Sequence, residues 1–380
     1  MCDHIVVLVV VDTCIFAEDY HLRTTLVRLL IEHCSTAGHQ LVVPEVVVRE
    51  VVNRYRERVE ERRSKLLSAV EAVKDDTGRE FQIDYSPDQL RADIQAYDHE
   101  FRNAIIGHGG KIQPIPNTSH DVLIGRDLAR RKPFSKTGKG YRDALIWEGV
   151  LELAATGHDI AIITTNKDDF AETDFTLHHD LQKDLEGRGI AVASVTLYAT
   201  LKSFVDRYVI SALPKPLQEP ARFTLATVPT FSLEVAVEQV ALENLPHREI
   251  SARALGRPSE LENPTISMIG SPNDIIVLDH RELENGERLI EFSADIVDCL
   301  FDCYIEKGEF FYLRDEQRLI VDEADWNERY MTAQFYDAVR VTGYLTLSAQ
   351  GQITSSEIAD VTGTPKATKG NAHPAGEPEI

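Results

Sequence analysis

Seven consecutive aliphatic residues, Ile5 to Val11, open the patterned part of the chain and stop at Asp12, Thr13 and Cys14. A run that is apolar at every position, without alternation, predicts a strand buried on both faces, as in the middle of a parallel sheet. Apolar spacing then predicts a helix from about Leu22 to Cys34, stopped by Gly38, and a short strand at Leu41 to Val43. Pro44 opens a long helix, a position where its missing amide costs nothing. Val46, Val47, Val48, Val51 and Val52 cover nearly the whole circumference of its first turns, and Glu50 lies inside that cluster. Burying a lone carboxylate is expensive, so Glu50 must reach a polar cleft, a cation or a partner. Beyond it the helix becomes a mixed, solvated face from Arg54 to Lys65.

Residues 75–118 are weakly patterned, with one polar helix from Pro87 to Ile106 followed by a Gly- and Pro-rich loop, and are expected to form a helical insertion or lid. A helix from Ser119 to Arg131 runs into a basic loop carrying Arg130, Arg131, Lys132, Lys136, Lys139 and Arg142. Asp143 then sits in the first turn of a helix that ends near Ala155, before a strand at Ile160 to Ile163 and the polar sequence Thr164 to Phe170. A further helix, a strand near Ile190 to Val195 and a helix to about Ile210 complete a β/α alternation, which predicts a parallel sheet.

After Pro214, Pro216 and Pro220 the texture changes. Short runs at Phe223 to Val228, Phe231 to Val240, Ile275 to Leu278, Leu289 to Phe292, Phe310 to Leu313 and Val339 to Leu347 predict strands of a smaller, mainly-β (α+β) domain. The expected organisation is an α/β domain over 1–212, a β-rich domain over 213–347 and a disordered tail over 348–380.

The formal net charge is −22, which argues against holding nucleic acid by bulk charge. From Ser211 onward 14 Lys and Arg face 29 Asp and Glu, a net of −15, so the acidity is mostly C-terminal and the basic loop stands out against a first part of net −7. Five scattered cysteines make no disulfide framework and lack zinc spacing, which suggests a reducing, cytoplasmic compartment. The opening apolar run has no basic stretch before it, so a strand is expected there and not a signal peptide, and no stretch has the length of a membrane span.

Four acids are placed to converge: Asp12 and Asp168 at the ends of buried strands, Glu50 and Asp143 on flanking helices. Three of the four have a bland alternative. Asp12 and Asp143 suit helix starts, and Asn166, Asp168 and Asp169 suit a turn. Together, carboxylates that close repel, and a divalent cation relieves the repulsion; an all-oxygen set points to Mg²⁺ or Mn²⁺.

The strand with Val11-Asp12-Thr13, then Pro44 to Glu50, Tyr141 to Trp147 and Ile163 to Phe170, in that order, resemble the motifs of PIN-domain nucleases. The resemblance covers roughly residues 5 to 210. It implies a three-layer α/β/α domain with a central parallel sheet and a metal-dependent endoribonuclease activity. It makes Asp12, Glu50, Asp143 and Asp168 catalytic, with Asp12, Asp143 and Asp168 on the metal. Thr13, Asn166, Asp169 and Glu45 would support them. The basic loop would meet RNA phosphates. Many relatives have an acid where this chain has Asn166, which supplies no charge. The implied partners are RNA, a protein partner or antitoxin, and a second copy of the chain. The rival expectation is a PIN-like scaffold that binds RNA or protein without cutting it. The second domain resembles extensions of larger bacterial PIN proteins.

Overall fold

The computed structural model describes residues 6–17, 19–81, 85–212, 232–283, 285–323 and 328–364. The chain divides into two compact units, Met1–Ala212 and Leu213–Ile380.

In the first unit the chain runs β1 (Val7–Val11), α1 (Thr13–Phe16), α2 (Thr25–Thr36), β2 (Gln40–Pro44), α3 (Glu45–Thr77), α4 (Pro87–Gly107), β3 (Lys111–Gln113), α5 (His120–Leu128), α6 (Tyr141–Ala154), β4 (Asp159–Ile163), α7 (Lys167–Phe170), α8 (His179–Gly187), β5 (Val195–Tyr198) and α9 (Leu201–Tyr208). The five strands form one parallel sheet in the order β3-β2-β1-β4-β5, with helices flanking it. The central position of β1 follows from its composition: Val9, Val10 and Val11 are fully buried, as are Val42 and Val43 on one side of it and Ile163 on the other.

The chain leaves β1 toward β2 on one side and later returns to β4 on the other. Ligand crevices in open α/β sheets lie beyond the carboxyl ends of the strands at such a reversal. Val11 is in register with Ile163, and the Asp12 amide donates to the Ile163 carbonyl at 3.1 Å. The residues after both strands therefore emerge side by side.

Two details of this unit differ from expectation. Lys111–Gln113 adds an edge strand within the stretch read as a helical insertion, and the last strand lies at Val195–Tyr198 and not at 190–195. Three residues of half-exposed edge strand carry too little pattern to be read locally.

The second unit comprises α10 (Leu233–Asn244), β6 (Glu262–Met268), β7 (Pro272–Glu282), β8 (Arg288–Glu306), α11 (Lys307–Gln317), β9 (Ile320–Glu323), β10 (Tyr330–Leu347) and β11 (Ile353–Gly363). Its sheet is antiparallel, with β8 and β10 paired along most of their length and an irregularity at Asp337/Val339. The core contains Val237, Val240 and Ala241 of α10 together with Phe292, Phe301, Phe335 and Leu345 of the sheet.

The stretches at 231–240 and 310–313, expected as strands, belong to helices over their described parts. Ala236, Val237, Val240 and Ala241 are buried at helical spacing, and the Ser232 hydroxyl caps the helix through the Val235 amide. In α11, Phe310 is buried while Phe311 and Tyr312 are exposed, again one face of a helix. Residues 353–363 are β11, paired with β10, so the expected tail does not begin at 348. Ser355, Ile358 and Val361 point inward there, a pattern masked by the polar residues between them. The expected strand at 223–228 and residues 365–380 lie outside the described residues.

Candidate metal and nuclease site

Asp12 ends β1 and serves as the cap of the short helix α1. Its Oδ1 accepts the Thr13 amide at 2.6 Å, and its Oδ2 accepts the Thr164 hydroxyl at 2.7 Å. Thr164 in turn follows β4, so the register of the two central strands builds this contact. Asp12 is only 8 % exposed, and burial pushes its carboxyl above the ordinary range, partly offset by these two donors.

Glu50 lies one and a half turns into α3. Its Oε2 accepts from the Thr13 hydroxyl at 3.3 Å, which ties α3 to the end of β1. Its Oε1 is held by Arg54 at 2.9 Å, one helical turn further on, and by Arg142 at 2.8 Å, next to Asp143. Glu45, five residues earlier, turns elsewhere: it pairs with Arg49 at 2.8 Å and Arg102 at 2.7 Å, joining α3 to α4. Those hydrogen bonds, Arg102 first, hold its carboxyl below the ordinary value.

Asp143 is placed by the start of α6. Gly140 precedes that helix with φ of 125°, and a Cβ there would lie 2.4 Å from the Pro133 carbonyl oxygen, so only glycine fits. Burial pushes the Asp143 carboxyl up to about 6, helped by the negative charges of Asp12, Asp169 and Glu50. These three acids are the ones whose fields meet at Asp143. Of the adjacent pair Asp168 and Asp169, Asp169 is the one whose charge acts on Asp143. Asp168 is exposed, and its backbone carbonyl accepts from Lys132 Nζ. The sequence pair Asp168-Asp169 leaves the choice to the register of a four-residue helix, a rotation of about 100° that no local pattern specifies.

Asn166 stands between two of the acids. Its side-chain amide donates to Asp169 Oδ2 at 2.8 Å and to Asp143 Oδ1 at 3.3 Å. One neutral NH₂ group thus bridges two carboxylates. Lys132 Nζ lies 4.0 Å from Asp169 Oδ1, so a cation also borders the crevice on that side.

The basic loop divides by function. Arg130 pairs with Asp127, and Arg131 pairs with Asp184 at 2.5 Å. Asp184 also receives the buried Arg126 and the Trp147 indole N–H at 2.9 Å, and Arg126 lies 3.6 Å from the buried Glu148. This network anchors the loop to α6 and α8. Lys136 and Lys139 are exposed, whereas Lys132 and Arg142 reach the acids.

The donor set at the crevice is entirely carboxylate, amide and hydroxyl oxygen, apart from the Cys14 thiol 3.9 Å from Asp12 Oδ2. Such a set fits a hard divalent cation, and the repulsion that raises the Asp143 carboxyl is what that cation would relieve. Among the described residues, the one trio of His, Cys, Asp or Glu ligand atoms all within 4.8 Å of one another is Glu172, His178 and His179, between α7 and α8. There His178 Nδ1 accepts the Asp180 amide at 3.1 Å and Glu172 accepts the His179 amide at 3.0 Å, so the trio is explained by the start of α8. The crevice acids stay further apart, separated by Asn166 and the arginines. No helix among the described residues is long and apolar enough to cross a membrane.

Residues 9–170 match a family model described as the PIN domain. The matched segment contains Asp12, Glu50, Asp143, Asn166, Asp168 and Asp169. No curated protein and no solved structure is matched by the chain.

Proposed function

From a PIN domain at residues 9–170, a nuclease-type family, we propose that this protein is a metal-dependent endoribonuclease that hydrolyses RNA phosphodiester bonds with Mg²⁺ or Mn²⁺. The observation that carries the reading is the convergence of Asp12, Glu50 and Asp169 on Asp143, whose carboxyl burial and those charges push up to about 6. Asp12, Asp143 and Asp169 would hold the ion, with Glu50 beside them. When bound, the ion supplies positive charge against the phosphate and lowers the pKa of a water.

The chain's own groups do the rest. Thr13 and Thr164 fix the Asp12 carboxylate from two sides. Asn166 sets the gap between Asp143 and Asp169. Arg142, Arg54 and Lys132 border the acids with positive charge, where a phosphodiester would be drawn in. In this reading residues 1–212 are the nuclease domain with 75–118 as its insertion or lid, and the β-rich unit, which reaches at least Gly363, is a further domain without an assigned role. An antitoxin or other protein, or a second copy of the chain, would meet these outer surfaces.

The second reading is a PIN-like scaffold that does not cut. The arginine pair on Glu50 and the neutral Asn166 favour it, because both reduce the charge available to an ion. Incubating the purified protein with a mixed RNA pool, with Mn²⁺ or with EDTA, separates the two. Cleavage that EDTA and Asp143→Asn both remove supports the enzyme. Equal cleavage by the wild type and Asp143→Asn marks contamination, and no cleavage with no metal bound in titration supports the scaffold.

A further inference from the structure

The surface beside the acids holds an aromatic and arginine group that the nuclease reading does not use. Tyr20 and His21 lie on the turn between α1 and α2, against Tyr55 of α3 and Tyr97 of α4. Tyr55 and Tyr97 stack at 3.8 Å, and Tyr97 is buried, so these two rings form a fixed floor. The outer layer differs in character. Tyr20 is half-buried, His21 is exposed, and the exposed guanidinium of Arg58 lies 5.4 Å from the centre of the Tyr20 ring.

The turn that presents them is tightly held. The buried Asp19 accepts the Arg23 amide at 2.9 Å and the Thr24 amide at 2.7 Å, and the Tyr97 hydroxyl donates to the Tyr20 carbonyl at 2.9 Å. Leu22 adopts φ of 55°, a left-handed conformation unusual for leucine, with its side chain in the core. Strained backbone held in place by its surroundings concentrates at ligand sites.

The group is continuous with the acids. Glu50, Arg54 and Arg58 recur every four residues along α3, a row that rises about 12 Å. Arg54 reaches Glu50, and Glu50, Tyr20 and Asp12 all act to raise its pKa. Acids also face this floor, Asp93 and Glu100 of α4 at Tyr55 and Asp19 of the turn at Tyr97, while α3 supplies the positive charge through Arg54 and Arg58. A cationic track with aromatic faces beside it is how proteins hold single-stranded nucleic acid, since every base has a π-face whatever its sequence.

We infer that Tyr20, His21 and Arg58 form a stacking platform for an unpaired base of single-stranded RNA, a few nucleotides from the phosphate at the acids, with Arg54 on the backbone between. The inference rests on the nuclease reading and narrows its substrate to single strands or loops, whose bases can splay out. Duplexed bases cannot reach the platform.

The test is fluorescence anisotropy in EDTA, with a labelled oligoadenylate strand, the same strand with abasic sites, and a blunt RNA duplex. The wild type should prefer the intact strand. Tyr20→Ala should weaken that complex about 5- to 100-fold, the range of one base–aromatic stack, and leave duplex binding as it was. Tyr20→Phe should bind like the wild type, and abasic strands should bind the wild type as weakly as the intact strand binds Tyr20→Ala. Arg58→Gln, an exposed change that does not threaten folding, should weaken binding in the same direction. Wild-type affinity in both Tyr20→Ala and Arg58→Gln overturns the platform while leaving RNA cleavage untouched. A wild type that binds neither strand nor duplex overturns the platform and the nuclease reading together.

Discussion

Asp143 is predicted to destabilise the protein that it would serve, and Asp143→Asn should make the metal-free chain more stable. The carboxyl is pushed from the ordinary 3.8 up to about 6 by burial and by Asp12, Asp169 and Glu50. At 1.36 kcal/mol per pH unit, that gap is worth at most about 3 kcal/mol, reduced where solvent reaches the half-buried group. A raised carboxyl contributes fully below its unfolded value of 3.8, and that contribution is lost as the pH rises through about 6. The penalty of the wild type therefore develops between those values and is constant above them. Asparagine removes the charge yet still presents an oxygen to the Asn166 amide, which donates at 3.3 Å in the wild type. Urea unfolding in EDTA should show the two proteins nearly equal near pH 4 and the variant more stable by about 1–3 kcal/mol near pH 8. Mn²⁺ should reverse the order, because a ligand bound only by the folded state at a hundred times its Kd adds about 2.7 kcal/mol, and the variant has lost part of that site. A difference independent of pH, or a variant less stable than the wild type near pH 8, refutes the electrostatic account.

Three further outcomes follow from the geometry. Asp169→Asn should lower RNA cleavage at saturating Mn²⁺ by at least ~100-fold, the scale of a lost charge on the transition state, while Asp168→Asn stays within about threefold of the wild type; single-turnover rates check this ordering. Gly140→Ala must move the Pro133 carbonyl, 2.4 Å from the new Cβ, and should cost about 2–3 kcal/mol in denaturant unfolding and reduce cleavage by displacing Asp143. Arg126→Met leaves Asp184 with Arg131 and Trp147 and Glu148 with Arg188, so it should destabilise by about 3 kcal/mol, the low end for breaking a buried pair, again read from unfolding.

How far the site could be read from the chain depended on how local each signal was. The end of β1, the Val cluster that buries the first turns of α3 and the start of α6 are continuous patterns, and the structure brings Asp12, Glu50 and Asp143 to one crevice. For the fourth acid the chain offers Asp168 with Asp169 beside it, and only the register of α7 turns Asp169 toward Asp143 and leaves Asp168 exposed. Arg54 was legible as the residue one turn after Glu50, yet it was absorbed into a face read as solvated. The pairing within the basic loop is tertiary and has no local signal: Arg131 meets Asp184, a residue of α8 more than fifty positions away. In the second unit the alternation around Phe231 to Val240 also satisfied a helical period, and burial of Val237 and Val240 decided it.

Asn166 marks the place where an acid would have been expected, and its geometry changes the meaning of that substitution. A third carboxylate there would add repulsion to a site that already pushes the Asp143 carboxyl up to about 6, and a bound cation would be needed to offset it. The amide instead donates to Asp143 and Asp169 at once, so the two acids are held in a fixed spacing by hydrogen bonds in the absence of an ion. Arg54 and Arg142 do the same for Glu50. For an ion to use Glu50 Oε1 the two guanidiniums on it would have to loosen, and a guanidinium is a group that binds phosphate bidentately. In the nuclease reading, an RNA phosphate would compete with Glu50 for Arg54 and Arg142 and so leave the Glu50 carboxylate to an ion.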